Sequence, residues 1–421
     1  MSANGSTTRQ RWTIFLVLAL MYILVYFYRV SLAVVAGDIS RELRLTPEQL
    51  GSLAGVLFYV YAVVQIPLGP MIDRFGSRLV ISGCGVLTTA GGILFSRADS
   101  LGDAMTARIL IGVGTASVLM ATFTLFGHWY SRQEFGRVSG LMVAVGNVGN
   151  LIGTAPLAAS VGLFGWRPSF LAIGIIQALV TVLVFCKVQD RPSASIQAAA
   201  PPDPSGAPAA GMLAAWREIF TSRDFWLLGM IAFFWYGNYL ALQGLWGGPY
   251  LMDVLHLSRS AAGNMLMCTS IGFIAGSLVT DTIARRIFRS YKKTLLVGQV
   301  LLALLMTAFL GWAEMLSPPF LAVLFLVIGL VVSSGVMIYP IIRSMFPLNI
   351  VGTALTSLNF FVLMGAAATQ QIMGLIIGSQ VGLRGAAAPA AAFHSAFIFP
   401  LAGLLLSIVL FSQARDYHEQ D

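Results

Sequence analysis

Residues 69–78 read GPMIDRFGSR, a short charged stretch set between two long apolar runs. About half the chain further on, residues 277–286 read SLVTDTIARR, again between two apolar runs. Asp73 lines up with Asp281, Gly76 with Ala284 and Arg78 with Arg286. An acid and a base recurring at matched places in two halves of a chain point to an internal duplication. Parallel half-repeats of this kind are a feature of membrane carriers built from two helical bundles.

The apolar runs give that reading its weight. Twelve can be drawn, at 13–37, 49–71, 78–97, 103–127, 136–160, 167–187, 224–251, 260–281, 293–313, 318–342, 351–378 and 394–413. Each reaches or slightly exceeds the roughly 17–25 residues that cross about 30 Å of hydrocarbon. In lipid, backbone groups must be paired within their own segment, so the runs are predicted to be helices. Composition agrees: 57% of residues are hydrophobic and 10% charged, against about 25% charged in soluble chains. Mean hydropathy is +0.83. The fold class that follows is an all-α membrane protein with twelve transmembrane helices in two pseudo-symmetric six-helix bundles.

The connection containing SASIQAAAPPDPSGAPAAG stands apart, because its Pro, Ala, Gly and Ser cannot build a core. It predicts an N-terminal bundle at 1–188, a flexible cytoplasmic linker at 189–222 and a C-terminal bundle at 223–421. Placing both termini in the cytoplasm puts most of the 25 basic residues on that side, among them Arg9, Arg11, Arg132, Arg137, Lys292 and Lys293. The net charge of +8 is therefore topological and does not mark a nucleic-acid surface. The polar start MSANGSTTRQRW leads into a full-length span and is expected to be a retained tail. Cys84, Cys186 and Cys268 lie in apolar runs without ligand spacing, so buried small side chains are expected and no metal or disulfide.

GPMIDRFGSR resembles the cytoplasmic signature of the major facilitator superfamily. ARILIGVGTA at 107–116, with Arg108, Gly112 and Gly114, is similar to that family's second motif. The resemblance covers the whole chain, although Ser277 and Ala284 stand where the signature's second copy would carry glycines. It implies a monomeric carrier without cofactor, metal or catalytic group, multi-pass in a bacterial inner membrane. It also implies a cytoplasmic gate at Gly69, Asp73, Arg74, Gly76 and Arg78, echoed by Asp281 and Arg286. Arg108 would couple the cycle or brace span 4.

MYILVYFYRVSLAVVAG, residues 21–37, raises the chemical question. An ionised arginine at bilayer depth costs between about 2.5 and 17 kcal/mol. None of the 17 acidic residues falls in the middle of a predicted span. Arg29 lies about 24 Å along its helix from Thr13 at about 1.5 Å per residue. Tyr22, Tyr26 and Arg29 follow i, i+4, i+7 spacing and share a face. A guanidinium offers five donors in a planar fork that suits carboxylate, sulfonate or phosphate oxygens. An anionic substrate would offset the charge; the competing reading is an arginine that glues helices through carbonyls and tyrosine hydroxyls.

YFYRVSLAVVAGDI is similar to the first helix of the anion:cation symporter branch, whose matching arginine holds the anion. In that branch an acid often precedes the arginine and carries a proton. Here the position is Tyr28, which leaves a substrate-borne proton or exchange of one anion for another as alternatives. The resemblance also places spans 1, 4, 7 and 10 around the cavity, which makes Asn238, Gln243 and Trp246 of span 7 supporting candidates for substrate binding, with Tyr22 and Tyr26 beside Arg29. The runner-up functions are a proton-driven exporter of drugs or a siderophore and an amino-acid transporter. No nucleophile and base pair up to suggest an enzyme.

Overall fold

The computed structural model describes residues 2–191, 209–347, 350–380 and 389–416. Among the described residues there is no strand, and twelve helices are long and apolar enough to cross a membrane. Spans 1 to 6 run Arg9–Val30, Pro47–Gln65, Ser77–Ser96, Leu101–Trp129, Val138–Phe164 and Trp166–Lys187. Spans 7 to 12 run Arg223–Val254, Arg259–Phe288, Tyr291–Leu310, Pro318–Met345, Val351–Gln380 and Ala390–Ser412. Hydropathy located all twelve. The largest departure is span 1, which halts at Val30, turns at Ser31 and restarts as a helix over Leu32–Leu43.

The chain forms two compact units. The first holds Met1–Ser31 and Tyr59–Pro204, the second Leu32–Phe58 and Ser205–Asp421. In the first, span 1 packs on span 5, and span 3 packs on spans 4 and 6. In the second, span 7 packs on span 11, and span 9 on spans 10 and 12. These pairings correspond, so the duplication seen in two short loops extends to helix packing. Lipid supplies no hydrophobic force between helices, and small residues supply close contact instead. A Cβ on Gly149 of span 5 would lie 2.0 Å from the Ile23 carbonyl oxygen of span 1. One on Gly365 of span 11 would lie 2.1 Å from the Phe233 carbonyl oxygen of span 7.

In the second unit the Leu32–Leu43 helix lies against Gly247–Pro249, close enough that a Cβ on Gly248 would meet the Ala33 carbonyl. Asp38 on this helix accepts from Arg41 at 2.8 Å and from Arg259 at the start of span 8. Span 7 is rewound rather than broken at its Gly-Gly-Pro: wide π turns at Leu242–Trp246 and Tyr250–Val254 flank Gly247–Pro249. Span 10 tightens to a 3-10 segment at Ser333–Met337.

The linker's middle, 192–208, lies outside the described residues. Its end is not a plain spacer: Ala209–Thr221 is helical and packs on spans 7 and 11. Ala215 and Ile219, four apart, face inward, and the Trp226 indole donates to the Phe220 carbonyl at 2.8 Å. Cys84 is buried as expected, whereas Cys186 is exposed. A small apolar thiol suits a lipid-facing surface as well as a core, so apolar neighbours in sequence do not distinguish the two.

Candidate functional site

Arg29 is 8% exposed, in the last turn of span 1 before the Ser31 break. Its guanidinium carbon stands 4.8 Å from the Tyr26 ring centroid and 5.0 Å from that of Tyr61 on span 2. The Tyr61 hydroxyl sits within hydrogen-bonding reach of Arg29 and of Gln65. Tyr22 and Tyr26 meet edge to face at 5.0 Å, and the Tyr22 hydroxyl donates to the Tyr26 hydroxyl at 3.4 Å. The predicted shared face of Tyr22, Tyr26 and Arg29 is thus observed. Gly146 of span 5 leaves room for it, since a Cβ there would lie 2.6 Å from the Tyr22 ring.

Sequence reasoning missed the pairing of Tyr61 with Arg29. Tyr61 and Gln65 are four apart and share a face, which is the signal that could have been followed.

The span 7 candidates are not brought together. The Asn238 amide donates to the Phe234 carbonyl at 2.7 Å and to the Pro400 carbonyl of span 12 at 2.8 Å. Gln243 donates to the Leu266 carbonyl at 3.1 Å and the Ser270 hydroxyl at 2.9 Å, both on span 8. The Trp246 indole donates to the Gln370 carbonyl of span 11 at 2.9 Å. Asn238 and Gln243 are fully buried and Trp246 is 2% exposed. Five residues along a helix rotate a side chain by roughly 140° from its starting face, so Asn238 and Gln243 reach different neighbours. All three spend their donors on joining helices of the second unit.

After span 2, GPMIDRFGSR is helical through Phe75, and the chain turns at Gly76, where φ is +81°. Gly69 has open space around it, Arg74 is exposed beside the Phe75 ring, and the Asp73 side chain lies outside the described residues. The acid at the start of span 3 is Asp190, just past span 6, which accepts the Arg78 backbone N–H at 2.9 Å. Arg78 in turn donates from Nε to the Phe185 carbonyl at 2.9 Å. Nothing local in the sequence separates Asp190 from an ordinary loop acid, and it was not anticipated.

The second copy differs. Ala284, aligned with Gly76, is buried in a π turn over Ala284–Phe288, and the chain reverses only at Arg289, where φ is +50°. Asp281 pairs with Arg285 at 3.0 Å, one turn along its own helix, while Arg286 is exposed. Between spans 4 and 5, Ser131 and Glu134 form a reciprocal capping box. Arg11 donates to the same Glu134 carboxylate at 2.6 Å. The Ser131 backbone N–H, then Arg11, hold the Glu134 carboxyl below its ordinary range.

Arg108 of span 4 is 2% exposed and donates from Nη1 to the Tyr28 carbonyl oxygen at 3.0 Å. A guanidinium on span 4 thus grips span 1 one residue before Arg29.

The sequence pattern that describes the Major Facilitator Superfamily matches residues 18–247, more than half of the chain. The chain belongs to the major facilitator superfamily. Arg29, Tyr61, Arg108 and the GPMIDRFGSR turn all lie inside the matched stretch.

Among curated superfamily relatives, the "Probable L-galactonate transporter" of Escherichia coli (strain K12) is 27% identical over 66% of this chain and 63% of its own. The "Probable sulfoacetate transporter SauU" of Cupriavidus necator is 27% identical over 64% of this chain and 65% of its own. The "Hexuronate transporter" of Bacillus subtilis (strain 168) is 26% identical over 68% and 67%. The chain thus spans a little under two thirds of the first two relatives' length. Among solved structures, a bacterial homologue of the human lysosomal transporter Spinster aligns over 96% of this chain and 97% of its own. The TM-score is 0.76 at 19% identity, a likeness of fold.

Proposed function

We propose that the protein is a secondary transporter of small organic anions that works by alternating access. It would sit in a bacterial inner membrane with both termini cytoplasmic. The reading rests on one observation: a buried guanidinium, Arg29, framed by the rings of Tyr26 and Tyr61 inside a membrane-spanning unit. Aromatic faces stabilise the cation through their quadrupole by about 0.5–2 kcal/mol. The guanidinium fork matches a carboxylate or sulfonate. The names of three relatives support the same chemistry, because galactonate, hexuronate and sulfoacetate are all organic anions. Asn238, Gln243 and Trp246 are left out of the proposed site, since their donors already join helices.

Uptake of labelled L-galactonate, a hexuronate and sulfoacetate into proteoliposomes tests the proposal. A pH gradient, or an opposing load of unlabelled anion, separates proton symport from exchange. Hydrogen bonds to a charged group contribute about 1.5–3 kcal/mol, so Arg29→Gln should weaken the transported anion about 10- to 100-fold. Arg29→Lys keeps the charge and loses the fork, and should fall between the two. Normal transport by both variants would sink the proposal.

A further inference from the structure

Span 1 is interrupted where it carries its charge. The Ser31 N–H still bonds the Phe27 carbonyl at 2.9 Å, but the helix stops there and resumes at Leu32. The next carbonyl, that of Tyr28, accepts from Arg108 of span 4 at 3.0 Å. A carbonyl at a break in apolar surroundings needs a partner from outside its own helix. A guanidinium can serve without requiring the following N–H to line up.

The accepting oxygen has a particular address. The Tyr28 carbonyl and the Arg29 nitrogen belong to one peptide group, which is planar and rigid. A hydrogen bond to that oxygen therefore fixes the plane from which the Arg29 side chain departs. Arg108 can act as an anchor because its own helix is tightly seated. Ser100 caps the start of span 4 by accepting the Asp103 N–H at 3.1 Å. Gly91 of span 3 lets the Ala107 carbonyl approach to where a Cβ would be 2.7 Å away. The Tyr28 ring is pinned from the same side, its hydroxyl 2.6 Å from the Cβ position of Gly92.

We propose that Arg108 is a positioning residue for anion binding: by holding the peptide group that joins Tyr28 to Arg29, it sets the direction in which Arg29 meets its substrate. This rests on the transport reading above and extends it from the residue that touches the anion to the one that aims it.

Two measurements on purified full-length protein decide it. The first is L-galactonate uptake as a function of concentration for Arg108→Met, Arg108→Gln and Arg108→Lys, with Arg29→Gln as control. The second, which needs no substrate, is amide hydrogen exchange over residues 29–35. With the anchor removed, Arg108→Met should raise KM about tenfold while the maximal rate per folded transporter changes little. Exchange at 29–35 should quicken. Arg108→Lys, which still offers a donor, should restore most of both. Arg108→Gln stands in if the Met variant does not fold.

A fall in maximal rate at unchanged KM, or unaltered exchange at 29–35, would overturn the positioning role. If Arg29→Gln transports normally, the functional reading has failed instead. If Arg29→Gln loses transport and Arg108→Met keeps its KM, only this inference has failed.

Discussion

Two aromatic rings beside a guanidinium stabilise its charge through their faces, and this governs what substitutions at Tyr61 should do. On the proposed reading of Arg29 as the anion's ligand, Tyr61→Phe keeps the ring face and loses a hydroxyl, so anion affinity should change little beyond one hydrogen bond. Tyr61→Leu removes the quadrupole and should weaken binding by about 0.5–2 kcal/mol, read as a rise in KM. Titration at Glu134 can be predicted in the same way. Its carboxyl is held below its ordinary range by the Ser131 N–H and by Arg11, so its stabilising contribution is present above the unfolded carboxylate value. It is lost as pH falls through the lower folded value. Melting curves of wild type and Glu134→Gln should differ near neutrality and converge in acid. At this scale the sequence was informative wherever partners share a helix: Tyr22, Tyr26 and Arg29 followed from spacing alone. It was silent wherever the partner comes from elsewhere, as with Tyr61 for Arg29 and Asp190 for the Arg78 N–H. Spacing orders residues around one axis; it does not say which axes meet.

Helices in this protein are irregular at particular places, and hydropathy cannot register that. A window of apolar residues reads the same whether its backbone is an α-helix, a wide π turn at Leu242–Trp246 or a 3-10 segment at Ser333–Met337. That is why twelve spans were legible, while the interruption at Ser31 and the tight stretch in span 10 were not. At the Gly-Gly-Pro of span 7 the structure shows rewinding between two wide turns. In span 10 the cause is visible. Gly335 sits against the Trp235 indole, 1.8 Å from where a Cβ would be, and that indole donates to the Val332 carbonyl at 2.7 Å. A ring fixed by its own hydrogen bond cannot step aside cheaply. Gly335→Ala should destabilise the second unit by about 1–3 kcal/mol, the usual penalty of overpacking, read as a lower melting temperature in detergent.

Across the whole molecule, the two halves share several helix pairings but not the turns that follow spans 2 and 8. Spans 1 and 5 correspond to 7 and 11, and spans 3 and 6 to 9 and 12. The first copy turns at Gly76 with φ +81°, hemmed in by the Asp190 carboxylate 2.8 Å from a would-be Cβ. The second continues past Ala284 and turns at Arg289, a side-chain-bearing residue with φ +50°. Left-handed backbone costs a residue with a side chain about 1–2 kcal/mol relative to glycine. Gly76→Ala should therefore lower the melting temperature and Arg289→Gly raise it, opposite signs at turns that serve corresponding spans. The duplication was legible in two short stretches, whereas this divergence needed backbone angles. Its consequence is historical: copies that began alike should now drift under unequal constraint. In a library of random variants sorted for folded protein, position 76 should return almost only the parental residue. Position 289 should wander freely and accumulate replacements that improve on the one it has.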